Sequence, residues 1–169
     1  FDKFHILRHL NDALDAVRRA EYARLQGQPR RFIKANRYTL LAHRENLDLD
    51  GRNALKTLLS ANKRLNTAYL LKESFGQLWD YKNETWARKF FDNWKASLKW
   101  QRLKPFEKFA QMIECHWDRI AAYCNPENKV SLGFVEGLNT KIRVIQRRAY
   151  GLRDEEYLRL KILTCMLPK

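Results

Sequence analysis

Apolar residues recur at intervals of three and four along most of this chain, the period of helices that bury one face. Over 5–26, Ile6, Leu10, Ala13, Leu14 and Val17 fall on one side, while Arg8, Asp15, Arg18 and Arg19 mark polar positions. Gly27 and Pro29 predict the end of that helix, and 31–43 reads as a second, shorter one. Asp50 predicts a cap for the next periodic stretch, whose apolar positions include Leu55, Leu58, Leu59 and Leu65. That pattern runs on to about Tyr81, bent or broken near Asn62. Over 84–103, Trp86, Phe90, Trp94 and Leu98 stand at near-helical spacing. Pro105 suits a first helical turn, followed by a stripe of Phe106, Phe109, Ile113, Trp117 and Ile120. A break containing Pro126 covers 124–129. Ser131 then predicts the cap of a helix reaching about Tyr150 and closed by Gly151. The last helix spans 154–166, with Asp154, Glu155 and Glu156 at its positive end and Leu158, Ile162 and Cys165 on its apolar face. No stretch alternates for long enough to predict a strand, so the expected class is mainly α-helical.

The aromatic stripes admit two readings, stacking platforms for bases or the packing face of a core. Helical spacing favours the core, because side chains three or four apart are the ones that meet a neighbouring helix. With 169 residues, 45% of them hydrophobic and 12% aromatic, the chain has enough apolar material for one ordinary domain and not the composition of a disordered one. Charge changes the picture more. Lysine and arginine number 33 against 19 acids, a net +14. Such an excess points to a polyanionic partner, most simply nucleic acid. An ordinary basic surface, or a face that docks on an acidic protein, are the alternatives. Cys115, Cys124 and Cys165 form no CxxC pair. They read as buried thiols of a reducing compartment, since a zinc site drawing on Cys115, His116 and Cys124 lacks a second close pair. No apolar run is long enough to span a membrane, and no signal peptide is visible. The start at Phe1, without methionine, reads as the loss of something upstream.

Candidate chemistry concentrates in 131–151. As a helix, this segment puts Val135, Leu138, Ile142, Ile145 and Ala149 on an apolar side. Glu136, Thr140, Arg143 and Arg147 fall together on another side. From 129 to 153 there are six bases and one acid, Glu136. A lone carboxylate there is either a surface group paired with a residue such as Arg143, or a metal ligand whose basic neighbours hold phosphates. Gly133 and Gly137 weigh toward the second, because glycine costs about 1 kcal/mol inside a helix and permits close approach of a ligand. At the other end Asp2 precedes a helix, where it is either a capping acid or a metal ligand, and His5 has a local structural role or a phosphate contact.

FDKFH at 1–5, VRR at 17–19, LLKESFGQLWDY at 70–81, ARKFFDNW at 87–94 and GFVEGLNTKIRVIQRRAYGLRDEEYLRLKI at 133–162 together resemble the ISL3-type insertion-sequence transposases. The resemblance covers essentially the whole chain. It implies a DDE-type recombinase with a ribonuclease-H-like (α/β) core, of which this chain is a mainly α-helical C-terminal part with most of the sheet absent. It implies a second-aspartate motif at 1–5, a helical insertion at 6–130, and a final-glutamate helix with a terminal helix at 131–169. Asp2 and Glu136 correspond to catalytic, metal-ligating carboxylates, and the first aspartate of the triad falls upstream. The family's E-G-x-N-N runs here as Glu136, Gly137, Leu138, Asn139, Thr140, so a threonine replaces an amide.

The implied reaction is DNA cleavage and strand transfer assisted by two Mg2+ or Mn2+ ions. Lys141, Arg143, Arg147 and Arg148 are the expected phosphate contacts, with His5, Asn139 and Thr140 as supporting groups around the carboxylates. Expected partners are duplex DNA, as terminal inverted repeats and target, and further copies of the full-length protein. The expected location is the bacterial cytoplasm, at the nucleoid, with no membrane. By itself the chain is expected to be inactive. The competing expectation is a non-catalytic basic helical module that binds DNA or protein without a divalent metal.

Overall fold

A computed structural model describes residues 3–124, 132–148 and 154–166. It divides into two compact units, Phe1–Asn128 and Lys129–Lys169. Among the described residues the regular elements are helices and none is a strand. The first unit holds α1 (Lys3–Arg24), α2 (Gly27–Ala35), α3 (Arg37–Leu41), α4 (Leu49–Ala61), α5 (Lys63–Gly76), α6 (Glu84–Leu98), α7 (Lys104–Cys115) and α8 (Trp117–Ala121). The second holds α9 (Leu132–Arg148) and α10 (Glu155–Met166). No helix among the described residues is long and apolar enough to cross a membrane.

α1 buries Ile6, Leu10, Ala13, Leu14 and Val17, the predicted stripe, and packs on α5 and α7. The first helix ends before Gly27 and Pro29 as expected, but the next begins at Gly27 and not at 31. Gly27 takes φ 65, a left-handed turn open to glycine, and α2 starts there with Pro29 in its first turn. The single helix expected over 31–43 is two. Asn36 separates them, and its Nδ2 donates to the Phe32 carbonyl at 3.0 Å. The cap expected from Asp50 comes instead from Asp48, whose Oδ1 accepts from the Gly51 amide at 2.8 Å. A Cβ on Gly51 would meet that same oxygen at 2.8 Å, so a larger residue there would have to displace the capping carboxylate. The expected break near Asn62 is a real boundary. Its Oδ1 caps α5 by accepting from Leu65 N at 3.0 Å, and its Nδ2 donates to Glu21 of α1 at 3.1 Å.

The aromatic stripes are core, with one correction of phase. In α6 the buried face is Ala87, Phe91, Trp94 and Leu98. Trp86 is 59% exposed, and Phe90 is only half-buried, against Tyr81. The helix is also shorter than 84–103, ending before a turn in which Arg102 takes φ 51 and Leu103 returns to the core. The stripe from Phe106 to Ile120 is buried throughout, although His116 divides α7 from α8 within it. Phe75 sits at the centre. Its ring meets Trp94 at 5.0 Å and Phe109 at 4.9 Å, both edge-on, as aromatic quadrupoles favour. Trp94 Nε1 donates to the Leu71 carbonyl at 3.0 Å, so its one polar atom is satisfied. Lys72 is buried and donates to the Ala42 carbonyl at 2.7 Å, closing the end of α3. Burial pushes its ammonium below the usual lysine range, and adjacent Glu73 opposes that shift. Of the three thiols expected to be buried, Cys124 is, whereas Cys115 and Cys165 are exposed.

In the second unit, α9 and α10 pack together. Ile145 is buried, and Leu138, Ile142, Leu158 and Ile162 are half-buried. Cys165 stands exposed, off the face predicted for it. Asp154 caps α10 by accepting from the amides of Glu156 at 3.0 Å and Tyr157 at 3.1 Å. The expected roles of Ser131, Ala149, Gly151 and the Val135 side chain lie outside the described residues.

Replacing Phe75 with alanine should cost roughly 3–5 kcal/mol in urea unfolding, the range for deleting a fully buried phenylalanine. A second expectation concerns acid. Hydrogen bonding from Lys95, then from Arg88, holds the Glu114 carboxyl below its ordinary range. The folded state therefore binds fewer protons than the unfolded one. The stabilisation is present above the ordinary value of 4.5 and is lost as pH falls through the lower folded value. Glu114→Gln should flatten the acid limb of a plot of melting temperature against pH.

Candidate functional site

α9 carries nearly all the predicted chemistry, and its local sequence explains the arrangement. Burying Ile145 and half-burying Leu138 and Ile142 against α10 fixes which way the helix faces. The opposite side is left to Glu136, Thr140, Arg143 and Arg147, with Asn139 and Arg148 at the edges of the apolar face, all exposed. Glu136, Thr140, Arg143 and Arg147 follow one another at helical steps of four, three and four. The rise of the helix spreads that row over roughly 16 Å. It forms a ridge with a carboxylate at its N-terminal end and guanidinium groups at its C-terminal end.

Glu136 is exposed and has no ion pair among the described residues, so the pairing with Arg143 considered from spacing does not form. Lys141 faces elsewhere: its Nζ donates to the carbonyl of Cys165, tying α9 to the last turn of α10. A Cβ placed on Gly137 would meet nothing within 4 Å. Packing inside the described structure therefore gives no reason for glycine beside Glu136, although glycine there costs helix stability.

Asp2 lies outside the described residues, and Gly133 lies in α9 beyond the part whose side chains are described. His5 is exposed at the start of α1, in the first unit, with its ring edge-on to Phe4 at 5.8 Å. Of the two predicted carboxylates, the described structure thus contains Glu136. Among the described residues no group of three or more His, Cys, Asp or Glu side chains converges on a common point. The chemistry that Glu136 offers is that of a hard oxygen ligand, which suits Mg2+ or Mn2+.

A second cationic group escaped the sequence reading. Asp15 and Glu21, buried in α1, gather arginines from α1, α3 and α5. Spacing marked Asp15 only as a polar position. The signal that was available is the pair Arg18 and Arg19, three and four residues beyond it, within the VRR motif.

Comparison with known proteins agrees with the motifs. The model of the ISL3-type DDE transposases, described as "Transposase", matches residues 1–162. The transposase for insertion sequence element IS1001 of Bordetella parapertussis is 36% identical over 165 residues, covering 96% of this chain and 40% of that protein. The transposase for insertion sequence element IS1557 of Mycobacterium tuberculosis is 29% identical over 180 residues, covering 93% of this chain and 40% of that protein. No solved structure matches the chain. The chain spans 40% of the length of these curated relatives. With matching motifs at both ends and a family match that runs almost from end to end, the chain belongs to the ISL3 family of DDE-type transposases.

Proposed function

We propose that this chain supplies Asp2 and Glu136, two of the three metal-holding carboxylates, to an ISL3-family transposase that cuts and rejoins DNA at insertion-sequence ends. The observation that carries the reading is Glu136 itself. It is an exposed carboxylate, unpaired among the described residues, at the head of a row ending in Arg143 and Arg147. No lysine or arginine stands three or four positions from Glu136 on α9, so its own helix leaves the carboxylate open. An open acid beside phosphate-binding groups has the hard oxygen chemistry that would suit a divalent cation. The relatives are transposases of insertion sequence elements, which supports the substrate class.

Asp2 and Glu136 would hold the cation in this reading, and Asn139 and Thr140 would steady the local arrangement. When bound, the ions supply Lewis-acid charge to the reacting phosphate. The protein's own share is electrostatic. Arg143 and Arg147 hold the phosphate strand along α9, with Arg148 beside them, and present fixed positive charge where negative charge grows during transfer. Lys141, engaged with α10, acts more by holding the hairpin than by touching DNA. His5 supports Asp2 from the start of α1. The division of the structure at Asn128 and Lys129 supports treating 6–130 as a helical insertion and 131–169 as the glutamate-bearing end. Activity belongs to the whole protein, acting as a multimer on terminal repeats and target duplex in the nucleoid.

In the full-length enzyme, Glu136→Gln should lower Mg2+-dependent cleavage of terminal-repeat DNA by at least 100-fold while leaving DNA affinity within a few-fold. Retained cleavage would favour the non-catalytic module instead. Gly137→Ala separates function from packing. It should stabilise α9 by roughly 0.5–1 kcal/mol, as glycine-to-alanine changes do in helices. The same change should reduce cleavage, because it fills space next to Glu136. Faster or unchanged cleavage would count against a ligand approaching there.

A further inference from the structure

Three arginines converge on one buried carboxylate in the first unit. Asp15 is 7% exposed. Its oxygens meet Arg18 Nε at 2.7 Å, Arg19 Nε at 3.3 Å and Arg37 Nε at 3.3 Å. Arg18 is buried with it, while the side chains of Arg19 and Arg37 are 66% and 47% exposed. One negative charge thus anchors three positive ones, from α1 and from α3. Beside them the Arg30 guanidinium lies 4.3 Å from the centre of the Tyr22 ring. A hydrogen bond from Arg30, and the charges of Arg30, Lys34 and Arg18, hold the Tyr22 phenol below its usual range. Asp12, one turn before Asp15, is a second acid on α1 and is exposed. The cations still outnumber the acids.

Stability does not explain this surplus. A structural ion pair needs one cation, and Arg18 already provides it at hydrogen-bond distance, buried with its partner. Adding Arg19 and Arg37 brings like charges together, a repulsion that a polyanion relieves. Because Asp15 engages all three arginines through Nε, the terminal nitrogens of Arg19 and Arg37 make no hydrogen bond among the described residues. Those are the paired donors that match a phosphate oxygen pair. Anchoring by Asp15 also fixes two long side chains beforehand, so less rotamer entropy is lost on binding.

We propose that Arg19 and Arg37, held by Asp15 on α1 and joined by Arg30 and Lys34 of α2, form a second phosphate-binding surface for the backbone of duplex DNA. This surface belongs to the helical first unit. Charge density favours a duplex over an acidic protein. B-DNA carries one charge per about 1.7 Å of axis. An extended acidic peptide carries at most one per roughly 3.3 Å. The inference rests on DNA being the substrate, but on neither the metal nor Glu136.

The test is binding of this 169-residue chain to a fluorescein-labelled duplex of random sequence, followed by anisotropy across a salt series. Arg19→Gln with Arg37→Gln removes two exposed groups and leaves the Asp15–Arg18 pair, so folding should survive; circular dichroism and urea unfolding check this. Two lost phosphate contacts should weaken binding roughly 10- to 100-fold near 0.1 M salt. They should also make the plot of log affinity against log salt shallower by about 1.8. Arg159→Gln on α10, a residue paired with Glu156, should do neither. Unchanged affinity in the double variant overturns the proposal. So does a loss of binding to polyglutamate with duplex binding intact. If Arg143→Gln with Arg147→Gln weakens binding while the Arg19 and Arg37 variant does not, this surface fails and the reading of α9 stands. Loss of cleavage on Glu136→Gln tests that other reading without reference to this surface.

Discussion

The packing of Phe75 holds the first unit together. Its ring, from α5, meets Trp94 of α6 and Phe109 of α7, so three helices converge on one side chain with no exposure to solvent. The tryptophan is tied to α5 a second time through the Leu71 carbonyl. α1 lays its own apolar stripe on α5 and α7 and thereby inherits its position from that junction. Aromatic residues dominate here for a simple reason. Each buries a large area while losing few rotamers, and their edges and faces attract one another.

Around that core the structure deals with a large positive charge by placing a few acids where each restrains several bases. Asp15 holds Arg18, Arg19 and Arg37, and Glu21 holds Arg24 and Arg64 while also receiving the Asn62 amide. Both carboxylates are buried, which strengthens each attraction and keeps the anchoring groups from drifting. The bases remain mostly exposed. A surface arranged this way stays cationic yet ordered, which suits contact with a regular polyanion better than freely moving lysines would.

α9 follows the opposite arrangement. There the one acid, Glu136, restrains none of the described bases and stands open with them on the exposed side of the helix. The two patterns divide the work in our reading. As proposed above, the first unit would grip the DNA backbone and α9 would present the carboxylate around which the reaction is organised. Glycine at 137 fits this division, since it relinquishes helix stability where no internal neighbour demands it.

Period and capping chemistry alone determined that the chain is helical, which stripes enter the core, and that Asn62 and Asp154 mark boundaries, because these depend on residues within one or two turns. The family followed from ordered motifs for a related reason: they record residue identity, and identity is all a sequence holds. Other features were decided only in three dimensions. Trp86 shares the spacing of the α6 stripe but lies outward, because the neighbours of α6 meet the face through Phe91 instead. Asp48 took the cap expected of Asp50 because only its side chain reached the Gly51 amide. The arginine cluster was least legible. Arg37 lies 22 residues from Asp15 and reaches it only after α2 and α3 fold back on α1, a tertiary event that no local pattern records.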